Sequence, residues 1–268
     1  MLFCFPNIAS GATLSGSEHW TNLNYLKSPR LIERARWSGT EDPDAVFDID
    51  LGTGYYLTPV ACVAIVGHNL SISATIGVIG SASPDFSNPL VDREVPARTL
   101  SSSAEAAKYP GLAFIADPVG LATCRYWRVT LSDPDGYAEN GFIELANLWI
   151  GAAWSPVNAP SYAWSLAYED PSIIETSIGG VDYFDRRPKY RALRFGLDYM
   201  LTDEWAAHGL AMIRDLGITE PLLFVMSHTD PNLGERVSFM GRLRSLNPIE
   251  NPDPLRYAGA FEVKELIG

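Results

Sequence analysis

The chain has 268 residues and a formal charge of −12, and hydrophobic residues make up 47% of it. This length predicts one large domain or two ordinary ones, with enough apolar residues for a sizeable core. Because an acidic protein repels phosphate backbones, the charge argues against broad nucleic-acid binding. The longest apolar run, residues 60–66, is far shorter than the roughly 18 residues of a transmembrane helix, so no membrane insertion is expected.

Glycine and proline are frequent, with 22 and 19 residues, which favours strands and turns over long helices. The cysteines Cys4, Cys62 and Cys124 are odd in number and form no CxxC pair, which argues against a disulfide framework. Cys62 and Cys124 lie in apolar, strand-like runs and are predicted to be buried thiols. Folding in a reducing cytoplasm agrees with this pattern.

The first half of the chain predicts a β-sandwich or jelly roll, because short strands follow one another without helices between them. Residues 1–30 are interpreted as a lead-in segment with at most short strands, and 81–109 as long loops. Asp133-Pro134-Asp135-Gly136 predicts a turn. Strands are predicted at 46–51, 60–66, 72–78, 113–116, 125–131 and 142–150.

The second half predicts an α+β module over 164–268, after a linker at 153–163 that is rich in Ala and Pro. One helix is predicted near 203–216, with Thr202 as its N-cap and Gly217 as its C-cap. Trp205, Gly209, Met212, Ile213 and Leu216 fall on one face of that helix. Strands are predicted at 164–168, 173–178, 190–200, 222–226, 236–246 and 258–267.

No motif in the sequence predicts catalysis, so no catalytic, cofactor-binding or metal-binding residue is assigned and no cofactor is expected. The histidines His19, His68, His208 and His228 show no zinc-binding spacing, and no G-x-S-x-G elbow occurs. Gly52-Thr53-Gly54 begins like a dinucleotide fingerprint, but Leu57 stands where the third glycine belongs. A turn between strands is the better interpretation.

Paired acidic residues leave two alternatives open beside ordinary turn chemistry. Asp42 and Asp44 flank Pro43, and Asp133 and Asp135 flank Pro134. Such pairs suit a glycosidase, and their oxygens also suit calcium, although no EF-hand spacing supports it.

The one basic cluster is Asp185-Arg186-Arg187-Pro188-Lys189, which Arg191 and Arg194 extend. It is interpreted either as the solvated start of a strand or as a contact with an acidic neighbouring subunit.

Two resemblances follow from short motifs. The segments 46–52, 60–70, 126–129 and 143–151 resemble the core and closing strands of a discoidin or galactose-binding-like jelly roll, over roughly residues 12–152. The whole chain resembles structural proteins of tailed bacteriophages, and the second module is similar in element order to the domains of phage tail tubes and tail hubs. The motifs that carry this resemblance are Gly67-His68-Asn69-Leu70, Trp164-Ser165-Leu166, Tyr183-Phe184-Asp185-Arg186-Arg187-Pro188 and Phe239-Met240-Gly241-Arg242-Leu243.

These resemblances imply a non-enzymatic structural protein of the virion, made in the bacterial cytoplasm. A tail or tail-tip adaptor that binds other virion proteins and copies of itself is the leading hypothesis. The alternative is a carbohydrate-binding module for a host-surface glycan, for which Trp20, Trp37 and Tyr137 are the candidate aromatic residues. A glycan-degrading enzyme ranks last.

Overall fold

A computed structural model describes residues 1–39, 44–55, 59–117, 120–158, 164–227, 230 and 233–268. The chain divides into two compact units. The first comprises Met1–Ser155, Pro221–Met240 and Gly268, and the second comprises Pro156–Glu220 and Gly241–Ile267. The sequence predicted an unbroken second module from residue 164 onward, whereas this division assigns 221–240 to the first unit.

The described part of the chain is mainly β. Its first strands, in chain order, are β1 (Leu2–Cys4), β2 (Thr13–Gly16), β3 (Trp20–Thr21), β4 (Ala35–Trp37), β5 (Asp44–Asp50), β6 (Cys62–Val66), β7 (Thr75–Ser81), β8 (Pro89–Pro96), β9 (Leu112–Ala116), β10 (Tyr126–Ser132), β11 (Ile143–Leu145), β12 (Asn147–Gly151) and β13 (Ala153–Trp154). The remaining strands are β14 (Ser165–Glu169), β15 (Ile173–Thr176), β16 (Asp182–Asp185), β17 (Tyr190–Leu201), β18 (Leu222–Val225), β19 (Phe239–Leu243), β20 (Ile249–Asp253) and β21 (Arg256–Glu265).

Helical segments are short. The α-helices are α1 (Gly52–Tyr55), α2 (Ser103–Ala106), α3 (Pro134–Asn140), α4 (Thr202–Glu204) and α5 (Gly234–Val237). Turns of 3-10 helix occur at Ile8–Gly11 and Leu23–Lys27, and π-helical segments at Trp205–Gly209 and Met212–Leu216.

Antiparallel sheets of the first unit are consistent with a β-sandwich. One sheet has the order β2-β5-β10-β7-β8, and another has the order β12-β6-β9. Burial alternates along β5 and β10, so one face of the first sheet is buried, whereas every residue of β6 and β12 is buried. The period of two in a strand explains the first pattern, and cover on both faces explains the second.

One hydrophobic core joins the inward residues of these two sheets. The first sheet contributes Phe47, Val78 and Trp127 to it, and the second contributes Val63 and Leu148. Trp127 is fully buried, and its indole N–H donates to the carbonyl of Cys124 at 3.1 Å. Most residues of this core therefore lie in strands that the sequence predicted.

The apolar N-terminus forms an internal strand. β1 pairs with β13 through Phe3 and Trp154, and with β18 through Phe3 and Phe224. The predicted linker therefore begins as paired strand, and its residues 159–163 lie outside the described residues. Cys4, Cys62 and Cys124 are all buried free thiols, as the apolar runs predicted for the last two.

The interpretation of residues 81–109 as long loops was wrong. This segment contains β8, which pairs with β7, and the short helix α2. Proline opens and closes β8 at Pro89 and Pro96, and most of its side chains are exposed. Because β8 is the edge of its sheet, proline is tolerated there and little hydrophobic alternation is required. The two prolines and the missing alternation explain why the sequence pattern did not predict this strand.

Two other local predictions were corrected. Asp133 does not open a turn; it caps α3, with its carboxylate accepting from the Gly136 N–H at 2.9 Å and Pro134 in the first turn. The segment 142–150 is not one strand, because the chain leaves β11, which pairs with β4, and enters β12, which pairs with β6, at Ala146. Similarly, α5 precedes β19 where a single strand was predicted over 236–246.

The second unit contains antiparallel strands around β17. β17 pairs with β14 on one side and with β21 on the other, and β21 also pairs with β20 and with residues 241–243 of β19. Phe195 faces Phe261 across the β17–β21 pair, with ring centroids 5.6 Å apart. This apolar face forms the core of the unit.

The predicted helix near 203–216 exists, but most of it is π-helical. The Leu210 N–H donates to the Trp205 carbonyl, five residues back. Thr202 is the first helical residue rather than the N-cap, which is Leu201 and makes no side-chain cap hydrogen bond. Trp205, Met212 and Leu216 are buried, as the helical spacing predicted. Gly217 ends the segment with φ of 53°, a value that favours glycine.

Candidate interaction surface

The second unit carries a separate β-hairpin. β15 and β16 pair with each other, with Ile174 opposite Phe184 and Glu175 opposite Tyr183. Within the described residues neither strand pairs with any other strand. The connecting turn is closed by the Ser177 N–H, which donates to the Val181 carbonyl at 2.8 Å, and Gly180 adopts φ of 77°. The chain therefore forms this hairpin from local contacts alone.

Apolar side chains cover the hairpin although all eight strand residues are exposed. The hairpin surface is defined here as its five most exposed large hydrophobic residues, Ile174, Ile178, Val181, Tyr183 and Phe184, with exposed fractions of 62%, 111%, 56%, 64% and 59%. Contiguous apolar patches larger than a few hundred Å² are uncommon on monomers and mark interaction sites. An isolated hairpin is also only marginally stable in water, so a covering partner would stabilise it.

The base of the hairpin is held to the following strand. The Ser172 hydroxyl accepts from the Arg187 N–H at 3.0 Å, and the Ser172 N–H donates to the Asp170 carboxylate at 3.0 Å. Lys189 lies 3.5 Å from Asp170 in an exposed ion pair. These contacts fix the start and the end of the hairpin, and near its tip the Thr176 hydroxyl donates to the Asp182 carboxylate at 2.6 Å.

The predicted basic cluster is largely neutralised by carboxylates of the same unit. Arg187 pairs with Asp185 at 2.8 Å, and Arg194 pairs with Glu262 at 3.1 Å. Arg191 is buried and pairs with Glu265 at 2.5 Å, so it is neither a solvated residue nor available to a neighbour. Arg186 is exposed, and no ion pair of its side chain occurs among the described residues.

Hydrogen-bond partners stabilise the ionised form of the Glu169 carboxylate near the base of the hairpin. Hydrogen bonds from Tyr190 and Arg244 lower the pKa of Glu169 below its usual value. Arg244 also pairs with Glu262 at 2.8 Å. These groups form an exposed charge network across neighbouring strands rather than an acid–base pair.

The histidines are dispersed. His19 and His208 are exposed, and His228 lies outside the described residues. His68 is buried, and its Nδ1 accepts from the Leu70 N–H at 3.3 Å. No group of three or more metal-binding side chains occurs in the described ranges. Burial, together with the charge of Arg98 beside it, holds the pKa of His68 well below its usual value.

Lowering the pH should therefore destabilise the chain through His68. Its folded-state pKa is depressed, so below the unfolded value of about 6.5 the unfolded chain binds a proton that the folded chain does not. Stability is expected to fall by up to about 1.4 kcal/mol per pH unit between pH 6.5 and 5 from this residue. His68→Gln should remove that part of the slope in chemical unfolding at several pH values.

An identical slope in the wild type and in His68→Gln would contradict the assignment to His68.

Asp133 and Asp135 serve local structure. Asp133 accepts from the Ser71 N–H at 2.7 Å in addition to capping α3, and Asp135 accepts from the Ser73 hydroxyl at 2.8 Å. Asp44 lies in β5, and Asp42 lies outside the described residues. The structure does not bring Asp133 and Asp44 into a common cleft among the described pockets.

The candidate aromatic residues lie close together, but Trp37 is buried in the core and Trp20 and Tyr137 are half-buried against it. Trp20 and Trp37 are opposite each other in the β3–β4 pair, and Trp37 packs edge-on against Tyr137 at 5.3 Å. Trp37 is 1% exposed, and the Trp20 indole N–H donates to the Val46 carbonyl at 2.9 Å. A sugar-stacking platform needs an exposed ring face, which Trp37 does not have.

Beside these residues the first unit has an open cleft of about 490 Å³. Its polar lining residues are Ser15, Ser17, His19, Asp44 and Asp48, and its apolar ones include Trp37, Val46 and Phe47. Asp48 also forms a bidentate pair with Arg128, at 2.6 and 2.8 Å. The cleft therefore has a mixed lining, and one of its two carboxylates is already neutralised.

Sequence reasoning predicted the first strand of the hairpin, over 173–178, but it missed β16 and the exposure of both strands. The available signal was the adjacent pair Ile173 and Ile174, which breaks the alternation of a half-buried strand, followed by Gly179-Gly180. Apolar residues on both faces of a short strand also occur in buried strands, so the pattern does not distinguish the two environments.

No helix in the described ranges is long and apolar enough to span a membrane. No protein-family model matches the chain. No curated protein matches it either.

The search of solved structures found a fucolectin, or F-lectin, from the serum of the striped bass, Morone saxatilis. The match covers 99% of this chain and 93% of the fucolectin chain, with 7% sequence identity and a TM-score of 0.31. A similarity this low carries no conclusion about family, fold or ligand.

Proposed function

We propose that this chain is a non-enzymatic structural protein that assembles through protein–protein contacts, as a tail or tail-tip adaptor of a tailed-bacteriophage virion. The observation that carries the assembly role is the exposed apolar hairpin surface. Burial of such side chains against a partner is the main favourable term in association. The virion assignment rests on the sequence motifs, one of which, Tyr183-Phe184-Asp185-Arg186-Arg187-Pro188, overlaps the strand β16.

The proposed partners are other tail proteins and copies of the same chain, and the proposed location is the virion. The hairpin surface places five exposed apolar side chains on two paired strands and their turn, where a partner can cover them. A galactose-binding-like jelly roll in the first unit and a tail-tube or tail-hub type of module in the second remain part of this proposal.

Mutation of the hairpin surface should prevent incorporation into particles. Phe184→Asp introduces a charge at a side chain that is 59% exposed, so folding should be preserved while a desolvated contact would be strongly disfavoured. The fraction of the chain that sediments with purified particles should fall at least roughly tenfold, which corresponds to about 1.4 kcal/mol. Quantitative mass spectrometry of the particles measures it.

Ile32→Asp is the matched control, because Ile32 is 75% exposed and lies in the other unit. It should be incorporated like the wild type. If the wild-type chain is absent from particles, the virion role is wrong; if Phe184→Asp is incorporated normally, the hairpin is not the contact.

A second candidate function is carbohydrate binding, favoured by the open cleft that is lined by His19 and Ser17. Binding of the purified chain to a glycan array, lost in His19→Ala but kept in His208→Ala, would support it. If the chain binds no glycan on the array, the structural role is the better proposal.

A further inference from the structure

Two exposed apolar surfaces lie at opposite ends of one strand in the second unit. β17 runs from Tyr190 to Leu201, and at about 3.3 Å per residue its ends are roughly 35 Å apart. Glu169 pairs with Tyr190, so the hairpin begins and ends beside the first residue of β17. The second surface lies at the other end.

The far surface is defined as Val157, Tyr199, Leu201 and Leu255, with exposed fractions of 75%, 65%, 46% and 68%. Backbone contacts bring these residues together. Asn158 donates to the Tyr199 carbonyl at 2.9 Å, and Arg256 donates to the same carbonyl at 3.4 Å while it pairs with Leu201 across the strands. A break in the β17–β21 register before Met200, with φ of 60° at Tyr199, accompanies this exposure.

The two surfaces carry charges that match each other. The hairpin has exposed Arg186 and Glu175, and the far surface has half-buried Arg256 and exposed Asp253. None of these four side chains forms an ion pair with any other described residue. A contact between the two surfaces would therefore offer each carboxylate a guanidinium from the other side.

The apolar area is of the right size for a specific contact. A fully buried aromatic side chain covers about 150–250 Å², so the five side chains, two of them aromatic, offer on the order of 500 Å² in total over both faces and the tip of the hairpin. With the polar rim, this approaches the roughly 800 Å² per partner of a standard interface.

We infer that the hairpin surface of one copy docks on the far surface of a second copy, so that chains associate head to tail. A symmetric hairpin-to-hairpin contact would leave the far surface uncovered, and the length of β17 keeps the two surfaces of one chain from meeting. A heterologous contact of this kind produces a ring if it closes and a filament if it does not. The inference rests on the proposed assembly function and identifies the partner as the chain itself.

Mixing two defective variants tests the contact. Phe184→Asp removes the hairpin surface and keeps the far surface, whereas Leu255→Asp does the reverse. In light scattering over a concentration series, the wild type should form oligomers, and each variant alone should remain a monomer. An equimolar mixture should form a dimer that grows no further, because one intact surface remains on each chain.

Several outcomes would overturn the inference. The wild type could remain a monomer at every concentration, or the mixture could stay monomeric beside an oligomeric wild type, which indicates a symmetric contact. Thermal melting of both variants must match the wild type. As a second measurement, Arg186→Glu should weaken association at least tenfold, and adding Asp253→Arg to the same chain should restore it; absence of rescue contradicts the charge pairing.

The two proposals fail separately. A monomeric wild type that is still incorporated into particles would overturn head-to-tail association alone, and another virion protein would then be the partner of the hairpin. A chain that oligomerises but is absent from particles would overturn the virion role alone.

Discussion

Replacing Glu235 with alanine is expected to lower the free energy of unfolding by about 3–5 kcal/mol. The Glu235 side chain is fully buried, and its carboxylate accepts from Arg98 at 2.8 Å, from the Thr99 N–H at 3.1 Å and from the Leu112 N–H at 3.2 Å. Alanine would leave a guanidinium that is 7% exposed without its counter-charge, and two backbone donors without a partner. Urea unfolding followed by circular dichroism measures the loss.

The size of this effect comes from burial rather than from the ion pair as such. The next residue, Arg236, pairs with Glu105 at 2.8 Å, but both side chains remain about a third exposed. Arg236→Ala should therefore cost less than about 1 kcal/mol, because solvent screens partly exposed pairs. Similar losses in Glu235→Ala and Arg236→Ala would show that the buried pair has no special role.

Removing both buried charges should lower the free energy of unfolding less than removing the Glu235 carboxylate alone. In Arg98→Met combined with Glu235→Leu, no buried charge remains without a partner, so the double variant should be more stable than Glu235→Ala. A double variant that is less stable than the single one would contradict this explanation.

Replacing Trp205 with alanine is expected to destabilise the second unit by about 3–5 kcal/mol. Trp205 is 8% exposed, and its ring stacks on Tyr257 with centroids 5.8 Å apart. Alanine would leave a large cavity between the helical segment and the sheet. Differential scanning calorimetry measures the shift, and the helical signal should be lost with the same transition.

Gly209 gives an independent test of the same packing. A Cβ added at Gly209 would lie 2.2 Å from the Trp205 ring, so Gly209→Ala should destabilise the unit by about 1–3 kcal/mol through overpacking. Leu210, 45% exposed on the same segment, is the control, and Leu210→Ala should change stability by less than about 0.5 kcal/mol. Near-native melting of Trp205→Ala would mean that this ring contributes little to the core.

Periodicity explains which elements were predictable. Asp44–Asp50 and Tyr126–Ser132 alternate because one face is buried, and 202–216 repeats with a helical period because one side packs on the sheet. The edge strand Pro89–Pro96 lacks both signals. At Asp133, the same residue types that form turns also start helices, so composition did not separate the two structures.

Candidate sites were less predictable than strands, because they depend on which side chains remain uncovered. Arg191 was expected in a basic cluster that is either solvated or in contact with a neighbouring subunit, and it lies instead in a buried pair with Glu265, 74 residues away in the chain. Trp37 was a candidate for sugar stacking and belongs to the core. In both cases the residues that bury the side chain are distant in sequence, so no local sequence pattern predicts the burial.

The sequence by itself determined that this chain is rich in strands, that its thiols at Cys62 and Cys124 are buried, and that a helical segment ends at Gly217. These properties follow from local backbone preferences and from the period of apolar residues. Only the tertiary structure decided that Glu235 and Arg98 meet in the core and that Ile174 and Phe184 lie in solvent. Burial is a property of the assembled chain, because it depends on contacts between residues that are far apart in sequence.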